Sequence, residues 1–142
     1  MDTCDKMRGK TLTLTVGLPR SGKSTWARRA GVPIVNPDSI RLALHGQRYA
    51  PAAEPMVWAI AKYMVHSLFL AGHDHVVVDA TNTTEKRRRF WDSDLWAVDY
   101  VSIATSKEAC IARARAENDL EIIPVIERMA EQFEPLAAQE GE

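Results

Sequence analysis

Two periodicities alternate along this chain. Thr11 to Val16 sets threonine against Leu12, Leu14 and Val16, a β-branched alternation that predicts a strand. A helix is expected to begin within the loop that follows and to run to about Ala30. Val32 to Asn36 reads as a short second strand, after which Pro37 suits the first position of a helix capped by Asn36. Gly46 to Ala53, rich in small and turn-forming residues, is a loop. From Glu54 to about Leu70, the positions Val57, Ile60, Ala61, Met64, Val65 and Leu68 keep helical spacing, and Gly72 ends the helix. Val76, Val77 and Val78 form an unbroken apolar run, as expected of a strand buried on both faces. A charged helix over Thr84 to Trp96 follows, then a strand near Val98 to Ala104. Ser106 caps a helix through about Ala116, Asn118 to Ile123 is a short loop, and Pro124 opens a last helix to about Ala137.

Strand and helix alternate throughout, so the fold class is α/β, with a parallel sheet covered on both faces. The strand at Thr11 to Val16 is expected at its centre, because of the loop that follows it. Met1 to Lys10 is polar and expected to fray, leaving residues 11–142 as a single domain. The 142 residues are 46% apolar and 26% charged, ordinary for a soluble globular protein. A net charge of −1 gives no overall attraction to nucleic acid or membrane, so any basic surface must be a local patch. Cys4 and Cys110 make neither a disulfide framework nor a metal spacing, which points to a reduced, cytoplasmic chain. No N-terminal apolar segment is present, and the longest apolar helix is interrupted by Lys62 and His66, so no membrane partner is expected.

The chemistry concentrates after the first strand. Gly17-Leu18-Pro19-Arg20-Ser21-Gly22-Lys23-Ser24, followed by Thr25, fits the phosphate-binding pattern G-x-x-x-x-G-K-[ST] without mismatch. It also lies where the mechanism needs it, between a strand and a helix. There the turn aims backbone N–H groups inward, and the helix start adds partial positive charge. A polyphosphate fits such a cradle, with Lys23 against the β- and γ-phosphates and the Ser24 hydroxyl on Mg²⁺. The implied cofactors are ATP and Mg²⁺, since no Asn-Lys-x-Asp run is present to read guanine. Arg20 occupies a variable position and faces either solvent or nucleotide.

Further candidates follow along the chain. Asp38 and Arg41 lie three apart on one face at the start of a helix. The carboxylate suits a base for an acceptor hydroxyl, and the arginine suits an anionic substrate group. The plainer alternative is a charge that complements the helix N-terminus beside a solvated arginine. Asp79 ends the valine strand, the place of a carboxylate that holds Mg²⁺ directly or through water. Thr81 and Asn82 can donate to phosphate or substrate, or merely make a turn. Lys86-Arg87-Arg88-Arg89 is the one dense positive run, and on a helix four consecutive residues point all round it, which favours a solvated face over nucleic-acid contact. His73-Asp74-His75 lacks the third and fourth ligands of a metal site. The four tryptophans read as core or half-buried residues, with Trp58 or Tyr49 available to stack a base.

These segments together resemble a known family. Gly17 to Trp26, Asn36 to Arg41, Glu54 to Trp58, and Asp79 to Arg89 are similar to the phage polynucleotide 5′-hydroxyl kinases and their small P-loop kinase relatives. The resemblance implies a three-layer P-loop kinase fold, with about four to five parallel strands and a short lid. It also implies Asp38 as general base, Arg41 as contact to a nucleotide 3′-phosphate, and a lid arginine, Arg113 or Arg115, as transition-state cation. The expected activity is phosphorylation of a hydroxyl on a nucleic acid end or a nucleotide. Beyond those arginines the lid carries Glu117 and Asp119, a poor surface for a long phosphodiester backbone, so a small-molecule kinase is the alternative. A nucleotide-binding switch or ATPase stands third, because it would leave Asp38 and Arg41 idle.

Overall fold

The computed structural model describes residues 9–46 and 48–137. Strands β1 (Thr11–Val16), β2 (Ile34–Val35), β3 (His75–Val78) and β4 (Ala97–Ser102) make one parallel sheet in the order β2-β3-β1-β4. Helices α1 (Lys23–Arg29), α2 (Pro37–His45), α3 (Glu54–Leu70), α4 (Glu85–Arg89), α5 (Lys107–Ala116) and α6 (Ile123–Gln132) connect and flank it, with short 3₁₀ turns at Pro51–Ala53 and Leu120–Ile122. β1 is interior, paired to β3 through Leu12–Val76 and Leu14–Val78 and to β4 through Leu12–Val98 and Leu14–Tyr100.

Thr13 and Thr15 of β1 are nearly as buried as its leucines, and their hydroxyls are satisfied inside the sheet. Thr15 Oγ1 donates to the Ala80 carbonyl at 2.8 Å and accepts from the Ala80 N–H at 3.1 Å, while Thr13 Oγ1 shares a 2.7 Å bond with His75 Nε2. From Leu12 onward this alternating strand is therefore buried on both faces, with the Thr13 and Thr15 hydroxyls paired. On the leucine side, Leu12, Leu14, Val35, Val57, Val65, Phe69, Val76 and Trp91 form the main core against α3. Full burial of each such aliphatic side chain contributes about 1.5–3 kcal/mol. A second cluster of Leu18, Cys110, Ile111, Ala114 and Ile126 holds α5 and α6 to the loop after β1.

Element boundaries differ from expectation where side chains divert the backbone. The helix expected over Thr84 to Trp96 is only Glu85–Arg89, because Trp91 turns fully into the core and Ser93 Oγ takes the Leu95 N–H at 3.1 Å, local bonding that replaces a helical turn. The last helix stops at Gln132 rather than near Ala137: Glu134 precedes Pro135, which disfavours helical backbone, and its N–H goes to the Thr83 carbonyl at 2.8 Å. β2 is shorter than Val32 to Asn36, since Pro33 has no N–H to give and Asn36 is already the cap of α2. β4 starts at Ala97 and ends at Ser102. Within the segment expected to fray, Met1 to Arg8 lie outside the described residues, but Lys10 is buried, paired with Asp74 at 2.9 Å, and accepts the Ala97 N–H. Cys110 is a buried free thiol, and Cys4 lies outside the described residues. No helix among the described residues is long and apolar enough to cross a membrane.

The strand order fixes where a ligand can sit. β1 connects outward past β3 to β2, whereas β3 connects past β1 to β4, so the two crossovers run in opposite directions. Right-handed crossovers then put their helices on opposite faces and open a crevice at the carboxyl ends of β1 and β3. Gly17 N–H donates to the Thr81 carbonyl at 3.0 Å across that crevice and ties the two loops together.

Candidate active site

The loop from Gly17 to Gly22 is shaped by its backbone. Gly22 has φ 105°, a left-handed conformation that glycine adopts without strain, and Arg20 adopts φ 68° beside it. Gly17 is required for a different reason: a Cβ there would meet Ser21 Oγ at 2.8 Å and the Ile103 carbonyl at 2.9 Å. Thr105 Oγ1 donates to the Ser21 carbonyl at 2.7 Å and braces the loop from beyond β4. Lys23, the first residue of α1, is buried and bends back over the loop to the Leu18 carbonyl at 2.6 Å. Burial pushes its pKa down, and the negative charges of Asp79 and, more weakly, Asp38 oppose that shift. Pro19 is half-buried, and Thr25 is exposed on α1.

Ser24 and Asp79 meet at the edge of this cradle. Ser24 Oγ donates to Asp79 Oδ2 at 2.7 Å, and Asn36 Nδ2 reaches the same oxygen at 3.1 Å. A hydroxyl and a buried carboxylate are hard oxygen donors, the set that binds Mg²⁺ together with substrate phosphates, so the residues present fit that ion. Asn36 does more than the sequence suggested. Its Oδ1 caps α2 by accepting the Asp38 and Ser39 N–H groups at 2.8 and 3.3 Å, and its amide nitrogen orients Asp79. One side chain thus joins the start of α2 to the end of β3.

Across the mouth, Asp38 is 68% exposed and accepts from Arg41 Nη1 at 2.7 Å. Arg41 is also gripped by Glu54 through two bonds, Nε to Oε2 at 2.9 Å and Nη2 to Oε1 at 2.7 Å. Burial works against the Arg41 charge, and the bonds to Glu54 and Asp38 more than offset it, raising its pKa. The bond from Arg41 likewise holds Glu54 below the usual carboxylate range. Arg41 is therefore neither solvated nor free, and its most direct effect is to hold the Asp38 carboxylate in place. Glu54 escaped notice as a charged partner because it lies thirteen positions beyond Arg41; the signal was a lone acid at the first turn of a long helix.

The expected lid is stitched to the cradle. Both lid arginines are exposed; Arg113 Nη1 donates to the Arg20 carbonyl at 3.1 Å, whereas the Arg115 carbonyl takes the Glu117 and Asn118 N–H groups at the end of α5. Arg20 itself pairs with Glu117 and, at 2.7 Å, with Asp119, so its guanidinium points to acidic side chains rather than to open solvent. Arg48 grips Asp119 through two bonds of 2.9 and 2.7 Å. Bonds from Arg48 and Arg20 hold the Asp119 carboxyl at about 2. Thr81 contributes its carbonyl to Gly17, and the buried Asn82, at φ 45°, donates its side-chain amide to the Thr15 carbonyl at 2.9 Å. The geometry gives Asn82 a bracing bond beneath the crevice. His73-Asp74-His75 is divided between Lys10, which takes Asp74, and Thr13, which takes His75.

A family model described as an AAA domain matches residues 12–136. No curated protein matches the chain. Among solved structures, a chain of the Pnkp1/Rnl/Hen1 complex superposes with a TM-score of 0.64 and 26% identity over 73% of this chain and 38% of that one. A gluconokinase from Sinorhizobium meliloti gives 0.61 and 18% identity over 93% of this chain and 79% of the enzyme. The APS kinase CysC of Mycobacterium tuberculosis, in complex with AMPPNP and APS, gives 0.58 and 18% over 74% and 68%. The chain spans less than half the length of the matched chains of the Pnkp1/Rnl/Hen1 complex. The sheet and its flanking helices are those of the P-loop kinase-like fold.

Proposed function

The chain belongs to the AAA domain family, and we propose that it is an ATP-dependent phosphotransferase that phosphorylates a hydroxyl, most directly the 5′-hydroxyl of a polynucleotide or of a 3′-nucleotide. The observation that carries this reading is the pairing of two half-sites. The Gly17–Ser24 cradle, with Asp79 beside it, faces an Asp38 carboxylate that Arg41 orients and whose charge is felt at Lys23. A nucleotide switch has no use for that oriented carboxylate, and an ATPase would use it on water, an outcome the label test below separates.

In this reading the loop N–H groups and the start of α1 hold the β- and γ-phosphates of ATP, and Lys23 leaves the Leu18 carbonyl to neutralise them. Ser24 and Asp79 would hold Mg²⁺, which supplies further charge neutralisation on the triphosphate. Asp38 accepts the proton as the acceptor oxygen bonds to the γ-phosphorus and the bond to ADP breaks. Arg113 meets charge on the transferring group in this reading, supported by its bond to the Arg20 carbonyl, a contact with the cradle that Arg115 lacks. Catalysis of this kind is positioning and charge stabilisation. Arg41 meets an acceptor phosphate with the donors that Glu54 and Asp38 leave over.

A small-molecule acceptor is the second reading, favoured by the gluconokinase likeness over 93% of the chain and by the acidic pair Glu117 and Asp119. Labelled ATP offered with an oligonucleotide, a nucleoside 3′-monophosphate, the plain nucleoside and a panel of metabolites separates the two. We expect label on the 3′-nucleotide in preference to the nucleoside, by about tenfold or more for one charge-assisted contact, and Arg41→Ala to erase that preference. Label on a metabolite alone moves the assignment to the second reading, and label only in free phosphate rejects both.

A further inference from the structure

The positive run at Lys86 to Arg89 divides among three environments. Arg88 is fully buried and donates to the Asn82 carbonyl at 3.0 Å and toward the Pro135 carbonyl at 3.5 Å. Arg89 pairs with Glu85 one turn back. Arg87 does neither: its guanidinium lies over the Trp58 indole, 4.8 Å from the ring centroid. Arg41 approaches the same indole at 5.7 Å. Trp58, Thr84, Lys86, Arg87 and Phe90 enclose a cavity of about 240 Å³. Lys62 lies outside this lining, 4.5 Å over the Phe90 ring and bonded to the Phe90 carbonyl at 2.7 Å. The acids nearest in the chain are already matched, Glu54 by Arg41 and Glu85 by Arg89.

We propose that this cavity is an anion subsite for the acceptor, taking a second phosphate beyond the group that reaches Arg41; the inference rests on the phosphotransferase reading above. A guanidinium stacked on an indole keeps its edge N–H donors for an anion while the ring fixes its plane. The volume lies below the roughly 300–1,000 Å³ of a whole small-molecule site, so it holds one group of a longer acceptor. Two guanidiniums on one indole form a continuous path from Asp38 through Arg41 to Arg87. An acceptor that follows it carries at least two anionic groups, as a 5′-hydroxyl strand of three nucleotides, or of two with a 3′-terminal phosphate, does and a 3′-mononucleotide does not. A sugar bisphosphate presents the same chemistry from another source.

The test compares Arg87→Met, which keeps the stem and loses the charge, with Arg87→Lys, which keeps the charge. Acceptors are a nucleoside 3′-monophosphate, a dinucleotide bearing a 3′-terminal phosphate, and a sugar bisphosphate. Arg87→Met is expected to lower kcat/KM for the dinucleotide about tenfold, through KM, with the mononucleotide within about twofold, and Arg87→Lys to restore most of the loss. The same selective loss on the sugar bisphosphate alone supports the subsite and assigns it to a metabolite. Equal losses on all acceptors, or none, overturn it. Quenching of tryptophan fluorescence by the dinucleotide without ATP gives a second readout. If wild type phosphorylates nothing in the panel, the phosphotransferase reading fails, yet dinucleotide binding weakened by Arg87→Met still supports an anion site, and binding unchanged by it rejects one.

Discussion

On the cradle side of the crevice, every contributing residue from Gly17 to Ser24 lies in one loop and one helical turn, and the backbone conformation carries most of the design. On the Asp38 side, the working groups come from α2, the start of α3, α4 and the segment at 117–119, and side-chain ion pairs join them. The bonds on this side span 3, 13 and 71 positions, for Arg41–Asp38, Arg41–Glu54 and Arg48–Asp119. A backbone cradle tolerates little change in residue type, as Gly17 shows. A side-chain network can be retuned one pair at a time without disturbing the sheet. In the proposed function the first half fixes how a triphosphate is held, and the second is where acceptor choice can vary among proteins of one fold.

The largest expected effect breaks the cradle side. Lys23→Ala removes the ammonium that the proposed mechanism sets against the phosphates and is expected to lower transfer by about 10³-fold or more. Burial works against the charge of this lysine while its bond to the Leu18 carbonyl favours it, so the variant should stay folded with only a small shift in melting. Steady-state rates and a thermal scan on the same preparation check both. Activity within about tenfold of wild type, a loss below ~1.4 kcal/mol, removes Lys23 from the mechanism.

A smaller effect is expected across the mouth. Asp38→Asn keeps the cap and the shape but removes the base, so kcat should fall by about 10²-fold with KM for ATP little changed. At 68% exposure its contribution to stability is slight, and denaturant midpoints should coincide. Wild-type turnover in this variant reduces Asp38 to a charge that complements the start of α2.

The same contrast explains what was legible in the sequence. The cradle, the central place of β1 and the bounds of α3 could be read because each follows from short-range pattern: a fixed spacing, a strand-to-helix order, a helical period closed by Gly72. The site on the other side was read only as residue types. Asp38 and Arg41 stood out because they are a turn apart. Glu54 and Arg48 did not, because nothing local marks which arginine an acid will meet. The positive run at 86–89 read as one solvated face, whereas Trp91 folding into the core turns Arg88 inward and leaves Arg87 to Trp58. The short α4 has the same cause, since a core position for Trp91 and a local bond at Ser93 outweigh helix propensity over Phe90 to Trp96.

The smallest effect concerns how the two sides are fastened. Asp119 receives Arg20 from the cradle loop and Arg48 from the loop after α2, so one carboxylate links both halves. Its folded pKa is about 2, against about 3.9 for an unperturbed aspartate. A depressed carboxylate contributes stability that is fully present above the unfolded value and lost as pH falls through the folded one. Asp119→Asn should therefore be less stable than wild type at pH 6, and the gap should close between about pH 4 and pH 2. Urea midpoints at pH 6, 4 and 3 measure it, with Asp74→Asn as the control. That exposed acid is also lowered by a lysine, but it lies away from the crevice and links no two parts of the site. If the latch matters for function, Asp119→Asn also raises KM for acceptor more than for ATP, because Arg48 is freed on the acceptor side while the backbone of the cradle stays braced by Thr105 and Thr81. A gap in stability that does not narrow with acid, or equal changes in both KM values, makes Asp119 a surface partner of two arginines, with the Arg20–Glu117 pair and the Asn36–Asp79–Ser24 bonds left to fasten the two sides.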